Sequence, residues 1–253
     1  MSLGSTNKNW QKLGQKDPFW AVLSWPEKKH NKWQAAELFE TGENEVAALM
    51  EYLAKLEIGL VKGKALDFGC GVGRLTQALA RRFDRAVGVD AAPAMLEQAG
   101  IYNKANNCSF VLNTDPALKI FSDNEFDFIY SRLTFQHIEP KYTKEYIKEF
   151  IRILKPGGVA VFSQPCKKSP TRGLRLNVSP KEILRTFLPV GVQNFFRNLS
   201  GKLFNKPIME LYSMEKADVM AVLGEKKAKL VNADVFGDLG SSWVCYRYCV
   251  QKL

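Results

Sequence analysis

The sequence has no apolar run of the roughly 18 residues that a membrane-spanning helix requires, and its polar beginning lacks the pattern of a secretory signal. Only two histidines are present, and the five cysteines include no C-x-x-C pair. A zinc site or a disulfide framework would need closely spaced ligands or an even set of cysteines, so neither is expected. We therefore predict a cytoplasmic protein with reduced thiols and no metal centre.

A second shortage concerns the glycine-rich run Gly69-Cys70-Gly71-Val72-Gly73, which follows a predicted strand over Lys64–Phe68 and opens a predicted helix near Arg74–Ala80. A dinucleotide-binding turn would need a further glycine at position 74 or 76, where Arg74 and Thr76 stand. The run also lacks the Gly-Lys-Ser/Thr ending of a triphosphate-binding loop. These two absences argue against a nicotinamide, flavin or nucleoside triphosphate ligand.

Two acidic residues near the turn indicate what the ligand is. Glycines let a ligand approach the backbone closely, so we expect backbone N–H groups at the start of the helix to contact it. Asp67 ends the strand before the turn, where a carboxylate repels phosphate but accepts hydrogen bonds from an ammonium group. Asp90 ends the next predicted strand, 19 positions after Gly71, where α/β nucleotide-binding units place a ribose-binding acid. A ligand with a cationic amino-acid end and a ribose end suits both acids.

The run Asp67-x-Gly69-x-Gly71-x-Gly73, followed by Gly88-Val89-Asp90, resembles the class I S-adenosylmethionine-dependent methyltransferases. Leu154-Lys155-Pro156-Gly157-Gly158 before a β-rich run is a further similarity, and the resemblance extends from about Gly42 to the C-terminus. It implies an α/β fold with a Rossmann-like, doubly wound, seven-stranded sheet whose seventh strand is antiparallel. It also implies S-adenosyl-L-methionine as the cofactor and methyl transfer as the activity.

In that family the cofactor lies against the glycine-rich turn, the ends of the next two strands and the turn after the fourth strand. The resemblance therefore implies a set of cofactor-binding residues: Asp67, Phe68, Gly69, Cys70, Gly71, Gly73, Asp90, Ala91, Met95, Asn113, Thr114, Ser131 and Leu133. Met95 would pack near the adenine, although an ordinary core methionine is an equally good interpretation. Because the acid after the third strand is displaced to Asp115, the side chain that meets the adenine amino group stays open.

His137 lies in the segment that faces the methyl acceptor in related enzymes. This segment, which begins Ser131-Arg132-Leu133-Thr134, lacks the Asp/Asn-Pro-Pro-aromatic run of nucleobase methyltransferases, and the paired-glutamate loop of protein arginine methyltransferases is absent as well. With an ordinary pKa of about 6.5, His137 could take a proton from an acceptor hydroxyl. The alternative is a structural histidine that caps the next helix.

Residues 1–41 contain four of the five tryptophans, and we interpret them as an N-terminal aromatic flap. The flap either completes the hydrophobic core or covers the cofactor or acceptor with aromatic rings. A helix over Glu43–Glu57, capped by Thr41 and Gly42, is predicted to begin the methyltransferase domain at 42–253.

The fifth predicted strand is followed by an insertion at 166–213, which we interpret as a lid of short helices that shapes the substrate site. Its part Cys166–Lys206 has nine basic residues and one acid, and so carries most of the net charge of +10. Among functional partners this charge favours a small, acidic or phosphorylated acceptor, ahead of nucleic acid or an anionic membrane surface.

The sequence thus predicts O- or N-methylation of a small molecule. Two alternatives stay open, namely a methyltransferase that acts on RNA or another macromolecule, and a cofactor-binding protein without catalysis, because a motif establishes a binding site and not turnover. The pattern does not indicate an oligomeric state.

Overall fold

The computed structural model describes residues 3–167, 207, 209–224, 227–238 and 243–253. The α-helices are α1 (Leu3–Lys16), α2 (Pro18–Val22), α3 (Ala35–Lys55), α4 (Arg74–Ala80), α5 (Pro93–Tyr102), α6 (Pro140–Ile153) and α7 (Lys216–Gly224). Short 3-10 helices occur at Pro26–Lys28 and Phe135–His137. The strands are β1 (Lys64–Phe68), β2 (Arg85–Asp90), β3 (Cys108–Leu112), β4 (Phe126–Ser131), β5 (Leu154–Lys167), β6 (Ala228–Asp238) and β7 (Trp243–Lys252).

The seven strands form one sheet in the order β3-β2-β1-β4-β5-β7-β6. β1 pairs in parallel with β2 on one side and with β4 on the other, whereas β7 runs antiparallel to both β5 and β6. The prediction of a Rossmann-like sheet with an antiparallel seventh strand is confirmed. The strand order reverses between β1 and β4, and open α/β sheets bind their ligands in the crevice at the carboxyl ends of such strands.

Helices cover both faces of the sheet, so its central strands are buried on both sides. Ala65 and Phe128 pack in the cluster beneath α3 and α4. Their neighbours Leu66 and Ile129 belong to the opposite cluster, beneath α6 and α7. This alternation follows from the pleat of a strand, and burial on both sides explains why most residues of β1 and β4 are apolar.

The helix before β1 begins earlier than the sequence suggested. α3 starts at Ala35, so the prediction that Thr41 and Gly42 cap a helix at Glu43 is wrong. A Cβ on Gly42 would overlap the backbone carbonyl oxygen of Arg74 in α4, which means that this glycine permits close packing of two helices. The expected domain boundary after residue 41 lies inside α3.

The described part of the flap packs against the site that the sequence predicts for the cofactor. Its apolar side chains Leu13, Phe19, Ala21, Trp33 and Leu38 form one cluster with Val72, Ala92 and Met95. Asp17 organises the flap: one carboxylate oxygen accepts the backbone N–H of Trp20, and the other accepts those of His30 and Asn31. Since Val72 is in the glycine-rich turn and Met95 is in α5, the flap lies directly over both.

The predicted short helices of the basic insertion lie outside the described residues. The end of the insertion is described, and it returns along the carboxyl edge of the sheet. The backbone N–H of Tyr212 donates to the Gln136 carbonyl at 2.7 Å, and that of Met214 donates to the Pro165 carbonyl at 2.9 Å. A search of the described helices found none with the length and apolar character needed to cross a membrane.

Candidate functional site

The glycine-rich turn after β1 is held in a backbone conformation that favours glycine. The φ angles are +75° at Gly69, +53° at Gly71 and +78° at Gly73. A Cβ on Gly69 would overlap the side chain of Thr134, and one on Gly71 would lie 2.6 Å from Cγ2 of Val22. The absent side chains therefore make room for the turn after β4 and for α2 of the flap.

The backbone N–H groups of this turn are used within the protein. Those of Gly69 and Cys70 both donate to the Val89 carbonyl, at 2.8 and 3.1 Å, and that of Gly71 donates to Asp90. The prediction that N–H groups of the turn hold a ligand is therefore not met at these three positions. With its donors engaged, the turn offers mainly carbonyl and carboxylate oxygens, which suit a cationic ligand better than an anionic one.

Asp90 lies at the end of β2 with its carboxylate fixed by the backbone. Oδ2 accepts from the Gly71 N–H and Oδ1 accepts from the Ala92 N–H, each at 2.9 Å, while Ala91 between them is half-buried. Burial raises the pKa of Asp90, and the backbone hydrogen bonds oppose that rise. Each carboxylate oxygen keeps a lone pair, so Asp90 could accept two hydroxyl groups of a sugar.

Asp67, which we predict to hold the amino group of the ligand directly or through water, is buried. Its side chain is 1% exposed, and Oδ2 accepts a hydrogen bond of 2.7 Å from the Thr76 hydroxyl in α4. Burial raises the pKa of Asp67 to about 7, against the lowering effects of Thr76 and Arg74. Burial also raises the pKa of the nearby Cys70 thiol, so this cysteine fills space and is not a reactive thiolate.

The predicted adenine-side residues lie around Asp90. Met95 is buried beneath the flap, and the side-chain oxygen of Gln11 in α1 accepts from the Ala94 N–H at 2.9 Å, which caps the start of α5. Asn113 is buried and donates its side-chain amide to the Asp115 carbonyl, whereas Thr114 is exposed.

The turn after β4 is tied to the end of β1. The hydroxyl groups of Ser131 and Thr134 both donate to the carbonyl of Phe68 at 3.1 Å. Leu133 has φ +61°, an uncommon value for a leucine, and its N–H donates to the Ser163 hydroxyl. Backbone strain of this kind persists where the surroundings fix the chain, which is typical of binding sites. The predicted residues Phe68, Ser131 and Leu133 are therefore brought together at the crevice.

His137 is 7% exposed and both of its ring nitrogens are engaged. Nδ1 lies 2.6 Å from the Glu210 carbonyl, which can only accept, so Nδ1 carries the hydrogen. Nε2 then accepts from the Gln136 side chain at 3.0 Å. The ring also meets Trp10 of α1 edge-to-face, with centroids 4.9 Å apart. His137 thus joins the flap, the turn after β4 and the returning end of the insertion, and its catalytic role stays a prediction.

Sequence reasoning missed several residues of this region because they approach it from distant elements. Glu45 of α3 accepts hydrogen bonds from Arg74 and from the Tyr130 hydroxyl, both at 2.9 Å. Arg132, directly after β4, lies beside the same carboxylate. Within the described ranges, no group of three or more His, Cys, Asp or Glu side chains could hold a metal ion.

Comparison with known proteins places this geometry in a family. Residues 66–162 match the family model described as a methyltransferase domain. Phosphoethanolamine N-methyltransferase 1 of Arabidopsis thaliana is 36% identical over 110 residues, which are 43% of this chain and 22% of that protein. A ubiquinone biosynthesis O-methyltransferase of Bartonella tribocorum is 29% identical over 163 residues, which are 64% of this chain and 62% of that protein. The chain thus spans about a fifth of the length of the first relatives it matches.

A solved structure shows the same fold. Magnesium protoporphyrin IX methyltransferase from Synechocystis PCC 6803, with bound S-adenosylhomocysteine, superposes with a TM-score of 0.56 over 87% of this chain and 89% of that one, at 15% identity. At this identity the similarity concerns the fold alone. The family match runs from β1 into β5 and includes the glycine-rich turn and Asp90, and the sheet of this chain has seven strands with an antiparallel β7. Residues 66–162 are therefore a methyltransferase domain, and the chain has the fold of the class I S-adenosylmethionine-dependent methyltransferases.

Proposed function

We propose that this protein transfers a methyl group from S-adenosylmethionine to a nitrogen or oxygen atom of a small-molecule acceptor. The observation that carries the proposal is the clamped carboxylate of Asp90, which the Gly71 and Ala92 N–H groups fix beside the turn at the strand-order reversal. Such an arrangement suits a ribose that lies across the crevice.

The residues present fit this cofactor because the site offers acceptors where the cofactor has donors and positive charge. The N–H groups of Gly69, Cys70 and Gly71 are used within the protein, so an ammonium group at this turn would meet carbonyl oxygens. Asp90 supplies a buried carboxylate for the ribose hydroxyls, and Met95 with Val72 supplies apolar surface for a base. Asp67 would act from behind the turn, by fixing α4 through Thr76.

When bound, S-adenosylmethionine supplies a methyl group on a cationic sulfur, so the protein has mainly to orient the acceptor and exclude water. Leu133 and Ser131 fix the backbone that faces the acceptor, through hydrogen bonds to Ser163 and Phe68. Trp10 and His137 form the wall between the flap and this turn. In this arrangement His137 positions the wall, with Nδ1–H held by the Glu210 carbonyl.

A small acceptor is supported by the flap, which covers the turn through Val22, and by the two relatives, whose names give phosphoethanolamine and ubiquinone biosynthesis. The net charge of +10 supports an acidic acceptor. The first alternative, methylation of RNA or another macromolecule, would need the basic insertion as the docking surface. The second alternative, a non-catalytic protein, would bind the cofactor but form no methylated product.

The proposal is tested by Asp90→Asn, with Asp84→Asn as its matched control. Asp84 is an exposed acid at the opposite end of the same strand, so it shares the chemistry but not the site. A lost hydrogen bond to a charged group costs about 1.5–3 kcal/mol, so Asp90→Asn should weaken binding of S-adenosylhomocysteine by roughly 10- to 100-fold in calorimetry.

Transfer of radiolabelled methyl groups into a cell extract identifies the acceptor class. Label in the small-molecule fraction, lost in Asp90→Asn and kept in Asp84→Asn, supports the proposal. Label in RNA or protein replaces it with the macromolecular alternative. Equal cofactor binding by Asp90→Asn and the unchanged protein would show that Asp90 is not the ribose acid.

A further inference from the structure

Arg132 occupies a position that its surroundings do not satisfy. It follows β4 directly, at the carboxyl edge of the sheet, and its side chain is only 19% exposed. The guanidinium lies over the ring of Phe236, 4.5 Å from the centroid. A guanidinium has five N–H donors and no acceptor, so a largely buried arginine is normally surrounded by oxygen atoms.

The hydrogen bonds expected of such a group are missing among the described residues. The buried Nε of Arg132 has no hydrogen-bond partner among the described residues, and the guanidinium meets the thiol of Cys245, a weak acceptor, in place of an oxygen atom. Nε lies 3.5 Å from Oε1 of Glu45, which is an ion-pair distance and longer than an ordinary N–H···O hydrogen bond. Glu45 is already engaged, because it accepts from Arg74 and from the Tyr130 hydroxyl.

Arg247 provides an internal comparison. Its guanidinium lies over the same Phe236 ring, at 4.3 Å, and also over Tyr52 at 3.3 Å. Unlike Arg132, it forms a two-pronged pair with Asp234, with nitrogen to oxygen distances of 3.1 and 2.5 Å. The two arginines share an aromatic partner, but only Arg247 has a carboxylate of its own.

The local charges point in the same direction. Around Glu45 and Phe236 lie three guanidinium groups, those of Arg74, Arg132 and Arg247, against the two carboxylates Glu45 and Asp234. Arg74 is bonded to Glu45 and lies near the buried Asp67, and Arg247 is bonded to Asp234, so Arg132 is the one of these three guanidinium groups without a carboxylate in hydrogen-bonding contact. The neighbours of Arg132 in sequence, Ser131 and Leu133, are fixed at the crevice by hydrogen bonds to Phe68 and Ser163.

We propose that Arg132 binds an anionic group, a carboxylate or a phosphate, of a ligand that occupies this site. A planar fork of N–H donors matches both anions. The inference rests on the proposed function, in which two molecules occupy the crevice. The anion is either the α-carboxylate of the cofactor or an acidic group of the acceptor, and the experiment separates the two sources.

The test compares Arg132→Gln with Arg247→Gln by calorimetry, using three probes. S-adenosylhomocysteine has an α-carboxylate, whereas 5′-methylthioadenosine has the same nucleoside thioether without the amino-acid part. Inorganic phosphate, added to protein saturated with S-adenosylhomocysteine, probes the acceptor side. Loss of a charged hydrogen-bonding partner should weaken the relevant probe by roughly 10- to 100-fold.

If Arg132→Gln weakens S-adenosylhomocysteine but not 5′-methylthioadenosine, Arg132 binds the cofactor carboxylate. If only phosphate binding is lost, it binds an acidic group of the acceptor. Unchanged binding of both anions, or equal weakening of 5′-methylthioadenosine, overturns the inference. A failure of the proposed function is distinguishable, because the unchanged protein would then bind neither nucleoside.

Thermal unfolding without ligand gives an independent readout. Arg247→Gln leaves Asp234 without its cation and should lower the melting temperature. Arg132→Gln removes a charge whose Nε has no hydrogen-bonding partner among the described residues, so its melting temperature should be equal to that of the unchanged protein or higher. A decrease as large as that of Arg247→Gln would mean that Arg132 is structural, and would contradict the inference.

Discussion

Replacing Gly71 by alanine tests whether the flap is seated on the glycine-rich turn. Gly71 has φ +53°, and a Cβ at this position would lie 2.6 Å from Cγ2 of Val22 in α2. An ordinary contact between two carbon atoms is about 3.5–4.0 Å, so Val22 has to move by roughly 1 Å or the flap has to lift. The substitution therefore combines backbone strain in the turn with a steric conflict at the flap.

The backbone strain and the steric conflict can be separated, because only the steric conflict depends on the side chain of Val22. A left-handed backbone costs a residue with a Cβ about 1–2 kcal/mol, and forcing an extra carbon into a packed contact costs about 1–3 kcal/mol. Gly71→Ala should therefore lower the free energy of unfolding by about 2–5 kcal/mol. In a Val22→Ala background only the backbone cost should remain, which gives a coupling energy of about 1–3 kcal/mol between the two sites.

The measurement is urea unfolding of the four proteins of this double-mutant cycle, without ligand, followed by tryptophan fluorescence. Because four of the five tryptophans are in residues 1–41, the signal also reports directly on the flap. A coupling energy of zero, with Gly71→Ala equally destabilising in both backgrounds, would refute the seating of α2 on the turn. Gly59→Ala is a suitable control, since no atom lies within 4 Å of a Cβ built there.

Two further predictions concern groups that titrate. Because the pKa of Asp67 is raised from 3.8 to about 7 in the folded protein, its protonated form stabilises the fold below pH 4, and this stabilisation is lost as the pH rises through 7. Relative to the unchanged protein, Asp67→Asn should gain up to about 4 kcal/mol of unfolding free energy between pH 4 and 8, and parallel pH dependences in urea unfolding would disprove this. His137→Gln keeps a donor for the Glu210 carbonyl but cannot titrate, so a positioning role predicts an unchanged pH profile of methyl transfer. If His137→Gln instead abolished a change in the methyl-transfer rate near pH 6.5, His137 would have a proton-transfer role.

The parts of the fold that the sequence predicted well are those whose signals are local. β1 and β2 are short apolar runs buried on both faces, and their bounds agree with the prediction. The start of α3 was predicted wrongly because Thr41 and Gly42 resemble the residues that begin a helix. Only the approach of α4 explains the glycine, since its backbone carbonyl at Arg74 occupies the place of a Cβ. A contact between elements overrode a local propensity.

In the candidate site, too, relations within one local unit could be predicted and contacts between distant elements could not. The position of Asp90 after Gly71 could be predicted because both belong to one β-α-β unit, and they are joined by a hydrogen bond. The role of Arg132 could not be predicted from the sequence, because the ring it stacks on, Phe236, is in the edge strand β6, far away in the chain. The prediction of N–H groups turned toward a ligand failed because Val89, on the neighbouring strand, takes two of them.

The cluster that joins the flap to Val72 and Met95 also affects the order of folding. Leu13 and Phe19 precede both partners in the chain, so they have no surface to pack on until β1, β2 and α5 have formed. Elements that depend on distant partners in this way fold late and open first, as separate cooperative units. Opening of that one unit would uncover the turn while the sheet stays intact. Exchange of molecules at the crevice would then follow the local stability of the flap and not the stability of the whole protein.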